Sequence, residues 1–157
     1  MSERPGPARV VADADVLAAD LLVGGASRDA LDPLRAHSWT TLVASEPLLD
    51  DAVAVIESLA GESLAGDWRE RMGSWATLVE HPSGDHPALA SAYHGEAAHL
   101  LTFDADLQTA GANASLKAHV ETSVKSPDAF ARLFDPAALY EVAVGGDYPG
   151  PDRDPRH

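Results

Sequence analysis

Five short apolar runs, each followed by a stretch with helical periodicity, constrain this chain more than any other feature. The runs are Arg9–Asp13 (RVVAD), Thr40–Ala44 (TTLVA), Trp75–Glu80 (WATLVE), Ala98–Thr102 (AHLLT) and His119–Val124 (HVETSV). Strands joined through helices pair in parallel, because a crossover of a dozen or more residues is what a parallel connection needs. Parallel strands are covered on both faces, which matches continuous rather than alternating apolar character. The expected fold is therefore α/β, a three-layer α/β/α arrangement around a central parallel sheet of about five strands.

Local signals place the helices. Asp15 is a suitable N-cap for Val16–Val23, which Gly24 and Gly25 end, and Arg28–Ala36 follows as a second short helix. Ser45 caps a helix with Pro47 in its first turn, whose apolar positions Leu48, Leu49, Ala52, Val53, Ile56, Leu59 and Ala60 keep helical spacing up to Gly61. Further helices are expected over Leu64–Met72, from Asp85 to about Tyr93, onward to about Ala112, and over Asp128–Phe134 behind Pro127. Residues 1–8 read as an arm and 9–144 as one domain. The Gly-, Pro- and Asp-rich stretch 145–157 reads as a disordered tail.

Charge narrows the function classes. With 25 acidic and 11 basic side chains the formal net charge is −14, which disfavours broad electrostatic grip on nucleic acid. Absence of cysteine excludes disulfides, thiolate metal sites and cysteine nucleophiles. No apolar run reaches the roughly 18 to 20 residues of a membrane span, and Met1–Val10 lacks a signal-peptide pattern, so a soluble cytoplasmic protein is expected. Regular Leu, Val and Ala blocks argue against global disorder. Acidity of this kind suits a salt-accumulating cytoplasm, where dense carboxylates keep a surface hydrated. A melting midpoint that holds or rises as KCl approaches molar concentration is the expected result; a steady fall contradicts a halophilic origin.

The acids have a pattern. Asp13 and Asp15 follow the first strand, Asp50 and Asp51 lie in the helix after the second, Asp85 opens a helix before the fourth strand, and Asp104 and Asp106 follow that strand. Right-handed crossovers bring these points to one edge of the sheet, where an open parallel sheet forms its crevice. Clustered carboxylates repel unless a cation shares the site, and oxygen-only donors suit Mg²⁺ or Mn²⁺ rather than zinc. Such ions activate water and stabilise phosphoryl charge, which points to hydrolysis of a phosphodiester. Taken singly, Asp13, Asp15, Asp85, Asp104 and Asp106 each read more readily as a helix cap or a solvated charge, and only their convergence points to a metal.

The segments RVVADADVLAADLL, DHPALASAYHGEAAHLLTFDADLQTAG and VKSPDAFARLF, in that order and spacing, resemble the signatures of PIN-domain nucleases over residues 9 to 134. The resemblance implies a Mg²⁺- or Mn²⁺-dependent endoribonuclease acting on RNA. It also implies a toxin role with an antitoxin partner, and homodimerisation. By position, Asp13, Asp85 and Asp104 would be metal-ligating acids and Asp106 an auxiliary one, with Thr102 and Asp15 positioning water or substrate. The second acid of that family is commonly a Glu; spacing from Ser45 favours Asp51 here, with Asp50 and Glu46 as rivals. Asp15 stands where Asn is common. These departures leave an alternative, a PIN-like module that has lost catalysis and serves in interaction or regulation.

Other patterns carry less. A receiver-domain reading fails because no acid directly follows Thr40–Ala44 and Asp104 lies too near Lys125. His81, His86, His94 and His99 lack the spacing of a shared metal face and read as surface or capping residues. Trp39, Trp68 and Trp75 read as packing, and Arg69 and Arg71 read equally as phosphate contacts or as an exposed helix face. Gly24–Gly25 is no phosphate loop.

Overall fold

The computed structural model describes residues 6–79, 91, 97–104 and 123–152. In chain order its elements are β1 (Gly6–Ala12), α1 (Ala14–Leu22), α2 (Gly25–Arg35), β2 (Thr41–Ala44), α3 (Glu46–Ala60), α4 (Glu62–Trp75), β3 (Thr77–Leu78), β4 (Ala97–Leu101), β5 (Ser123–Lys125), α5 (Pro127–Leu133) and α6 (Pro136–Ala143). The strands form one sheet in the order β3-β2-β1-β4-β5, parallel at every pairing, with helices flanking it in a three-layer α/β/α fold. No helix among the described residues is long and apolar enough to cross a membrane.

The sheet's centre is its driest part. Val10, Val11 and Ala12 of β1 are all buried, as are Leu42, Val43 and Ala44 of β2 and Leu100 and Leu101 of β4. Consecutive burial, rather than alternation, follows from cover on both faces. Leu48, Leu49, Ala52 and Ile56 form the buried stripe of α3, at the spacing the sequence shows. Leu17 of α1, Leu31 and Leu34 of α2, Trp68 of α4 and Phe130 of α5 join the same core.

Several boundaries differ from expectation for identifiable reasons. α1 starts two residues early because Asp13, not Asp15, is its N-cap: Asp13 Oδ1 accepts from the Ala14 amide at 2.8 Å. α4 runs on to Trp75, whose ring lies under the Arg35 guanidinium at 4.8 Å. Only Thr77–Leu78 remains for β3. Trp68 is core and Trp39 packs edge-on to His37 and Tyr140, in line with the packing role expected of the tryptophans.

α6 was not anticipated, although Asp135–Pro136 carries its start signal: Asp135 Oδ1 accepts from the amides of Ala137 and Ala138. The stretch read as a disordered tail is anchored over 145–152. Tyr148 OH meets His37 Nε2, the Asp152 carboxylate accepts from the Ser38 amide at 2.7 Å, and the Asp152 amide donates to the Ala36 carbonyl at 2.9 Å. Composition favoured disorder; a few long-range polar contacts with the end of α2 order it.

The expected helices around 85–93 and up to Ala112, and the start of the His119–Val124 strand, lie outside the described residues, apart from Ser91, which is helical. Among the described residues β5 comprises Ser123–Lys125.

Candidate metal centre

The chain passes from β1 outward to β2 and β3, then returns to the other side of β1 for β4 and β5. The strand order therefore reverses between β1 and β4, and the crevice of such a sheet opens at the carboxyl ends of those two strands. The register aligns Ala12 with Leu101, Val11 with Val43, and Leu101 with Lys125. One step further along, Ser45, Asp13, Thr102 and Ser126 form a row of oxygen-bearing side chains across the carboxyl edge. Three of the four are helix caps: Asp13 for α1, Ser45 for α3 and Ser126 for α5. The N-terminal ends of α1 and α3 face this edge, and their partial positive charge favours the carboxylates held there.

Thr102 is the member of the row that bonds across to a neighbouring strand end. It is fully buried, and its amide donates to the Lys125 carbonyl at 3.0 Å. Its hydroxyl donates to Asp13 Oδ2 at 2.8 Å and accepts from the Asp104 amide at 3.0 Å. One side chain thus ties the two acid-bearing strand ends together. Asp13 is held from three sides. Its amide donates to the Leu101 carbonyl at 2.8 Å, continuing the ladder past β1, while its two oxygens accept from Ala14 and Thr102. This carboxylate is half-buried and fixed in orientation, whereas Asp104 is exposed on the adjacent strand end.

The remaining expected site residues are less closely gathered. Asp15 lies in the first turn of α1 and is exposed. Asp51 and its rival Asp50 are exposed on α3, and Glu46 is ion-paired with Arg69 across to α4. Arg69, read from sequence as a phosphate contact or part of an exposed face, is thereby committed to a structural pair. Asp85 and Asp106 lie outside the described residues. Among the described residues no three of His, Asp or Glu come together closely enough to hold a metal ion. The Asp13–Thr102–Asp104 set supplies oxygen donors alone, which fits a hard divalent cation and does not fit zinc.

Sequence reasoning missed a second contact at this edge. Ser91 is buried and its hydroxyl donates to Ser45 Oγ at 2.8 Å, while Ser45 Oγ also accepts from the Leu48 amide at 3.4 Å. This links the helical residue six positions after Asp85 to the end of β2. A serine cap was legible, but its partner 46 residues away was not. Ser45→Ala removes the cap and the hydroxyl pair together, and is expected to cost about 1–2 kcal/mol in urea unfolding.

His99 departs from the surface or capping role expected of it. It sits in β4, packs edge-on against Phe130 with ring centroids 5.3 Å apart, and its Nδ1 is buried without a hydrogen-bond partner. Burial, reinforced by the Lys125 charge, pushes its pKa down from 6.5 to about 4. The native ring stays neutral where the unfolded one takes a proton. Its stabilising effect is therefore present above the unfolded value of 6.5 and is lost as pH falls through about 4. After allowance for solvent screening the loss is about 1–2 kcal/mol. His99→Leu should flatten this part of the acid limb in melts between those two pH values.

Fold and site together define an all-parallel α/β protein in which Thr102 links Asp13 to the backbone of Asp104 at the reversal point of its sheet. The chain belongs to DUF7384, a family of unknown function, which matches residues 4–156. Searches among curated proteins and among solved structures found no match.

Proposed function

We propose that this protein is a Mg²⁺- or Mn²⁺-dependent endoribonuclease that hydrolyses RNA phosphodiester bonds at the crevice between β1 and β4. The observation that supports this most is the shared hydroxyl of Thr102, which fixes Asp13 and braces the backbone of Asp104 at the reversal of strand order. A helix cap alone does not call for a second acid-bearing strand end tied to the first. Asp13 and Asp104 would hold the ion, with Asp85 and Asp106 completing the oxygen set and Asp51 contributing through water. A bound divalent ion would supply water activation and stabilisation of phosphoryl charge.

The chain's own residues do the positioning. Two hydrogen bonds keep the Asp13 carboxylate from swinging toward solvent, so it meets a cation without first losing rotamer freedom. Exposed Asp104 leaves the crevice open to a polymeric substrate. Because the chain is so acidic, RNA must be gripped locally, and affinity should depend on salt less steeply than for a basic nuclease. The proposal extends to a cytoplasmic toxin-like role with an antitoxin partner and a homodimeric state.

The test is cleavage of a labelled single-stranded RNA by the purified full chain with Mn²⁺. Cleavage that needs Mn²⁺, stops with a chelator and is lost in Asp104→Asn supports the proposal; cleavage equal in wild type and variant refutes it. The alternative, an interaction module without catalysis, draws on the exposure of Asp50 and Asp51 and the engagement of Glu46 with Arg69. Titration calorimetry with Mn²⁺ separates the two, since a module that has lost its site gives no saturable heat.

A further inference from the structure

On the edge of the sheet away from β3, a groove of about 310 Å³ opens between the end strands and helices α5 and α6. Apolar side chains make most of its wall, chiefly Phe130 and Phe134 from α5 and Leu139 and Val142 from α6. The phenyl rings of Phe130 and Phe134 stack with centroids 5.1 Å apart, which gives that wall a fixed flat surface. α6 buries none of its residues, and Val142 and Leu133 at the groove are 75% and 71% exposed.

Two polar groups enter this apolar surround. Register places His99 opposite Ser123 and Leu101 opposite Lys125, so the His99 and Lys125 side chains leave the sheet on the same face, and both line the groove. Lys125 is half-buried, and among the described residues its ammonium makes no ion pair or hydrogen bond. The His99 ring packs beside it against Phe130. A half-buried cation in an apolar surround calls for a counter-charge, and a bound ligand would supply one.

We propose that this groove binds a small organic monocarboxylate with an apolar body, its carboxylate on the Lys125 ammonium and its body against Phe130, Phe134 and Leu139. The volume is at the lower end of small-molecule pockets and suits a ligand of modest size. One available cation calls for one negative charge. A phosphate dianion fits less well, because Asp135 also lines the groove and the chain as a whole carries −14. Although the Thr102 amide bonds the Lys125 carbonyl, strand alternation puts their side chains on opposite faces of the sheet, and the assignment does not rest on the nuclease proposal.

Titration of the isotope-labelled full chain with 4-phenylbutanoate, and in parallel with its neutral analogue 4-phenylbutanamide, tests the assignment by amide chemical shifts. The expected result is saturable shifts centred on His99, Lys125 and Phe130 with the acid, and binding weaker by about tenfold or more with the amide, as loss of a charge-assisted contact predicts. Lys125→Met should weaken the acid by a similar factor and leave the amide unchanged. Equal binding of acid and amide overturns the proposal, as does the absence of saturable shifts in the groove. So does a concentration-dependent dimer that Leu133→Glu abolishes, since a second copy would then be the occupant. The acid-to-amide contrast is read on the unmodified chain, so it stands even if the variant folds poorly.

Discussion

Asp13→Asn is expected to lower Mn²⁺-dependent RNA cleavage by about 10²–10³-fold or more while leaving the melting temperature within a few degrees of wild type. The separation follows from the two roles of the side chain. Asn is as good an N-cap as Asp, and its carbonyl oxygen can still accept from the Ala14 amide or the Thr102 hydroxyl. What the substitution removes is a negative charge at a point where two hydrogen bonds orient the side chain. A purely structural Asp13 would show neither the loss of cleavage nor any change in Mn²⁺ binding. Calorimetric titration beside the cleavage assay reads both.

Thr102→Val is expected to be costly in a different way. Valine keeps the shape and fills the same buried volume, but Asp13 loses the hydroxyl that donates to Oδ2 and the Asp104 amide loses the oxygen that accepts from it. Leaving two such groups short of a partner should destabilise the fold by about 2–3 kcal/mol in urea unfolding. The acids are also released from each other, so Mn²⁺ affinity and cleavage should fall by about 10–100-fold, the range seen when groups that orient metal ligands are removed. Thr102→Ser restores the hydroxyl and should recover most of the cleavage despite losing the methyl group. A bystander threonine would give Val and Ser variants of similar activity.

Much of the architecture was legible because its signals are local or periodic. Val10–Val11, Leu42–Val43 and Leu100–Leu101 are unbroken apolar pairs, and unbroken runs are what a sheet covered on both faces requires. Ser45 with Pro47, and Pro127 by itself, mark helix starts that the structure bears out. The failures have a common physical cause, in that pairings between distant residues leave no local trace. Tyr148 with His37 and Asp152 with Ser38 span more than a hundred residues and order a segment whose composition favours disorder. The bond of Ser91 to Ser45 belongs to the same class.

For the candidate site, Asp13, Thr102 and Asp104 were marked by their place just after buried strands, and the strand order brings them together. The helix after β2 was less informative. Asp50 and Asp51 sit on consecutive positions that both prove exposed, while Glu46 is drawn away by Arg69. No rule of helical spacing foretells that pairing. His99 shows the converse error. Its neighbours in sequence look like a histidine-rich surface stretch, yet strand alternation turns this ring inward against Phe130.

The most direct measurement is an anomalous difference map from crystals of the full chain soaked in MnCl₂. The account predicts a strong peak in the crevice between β1 and β4, within coordination distance of carboxylate oxygens from both Asp13 and Asp104. A map with no peak there, or with manganese bound only at surface acids away from Thr102, would contradict it.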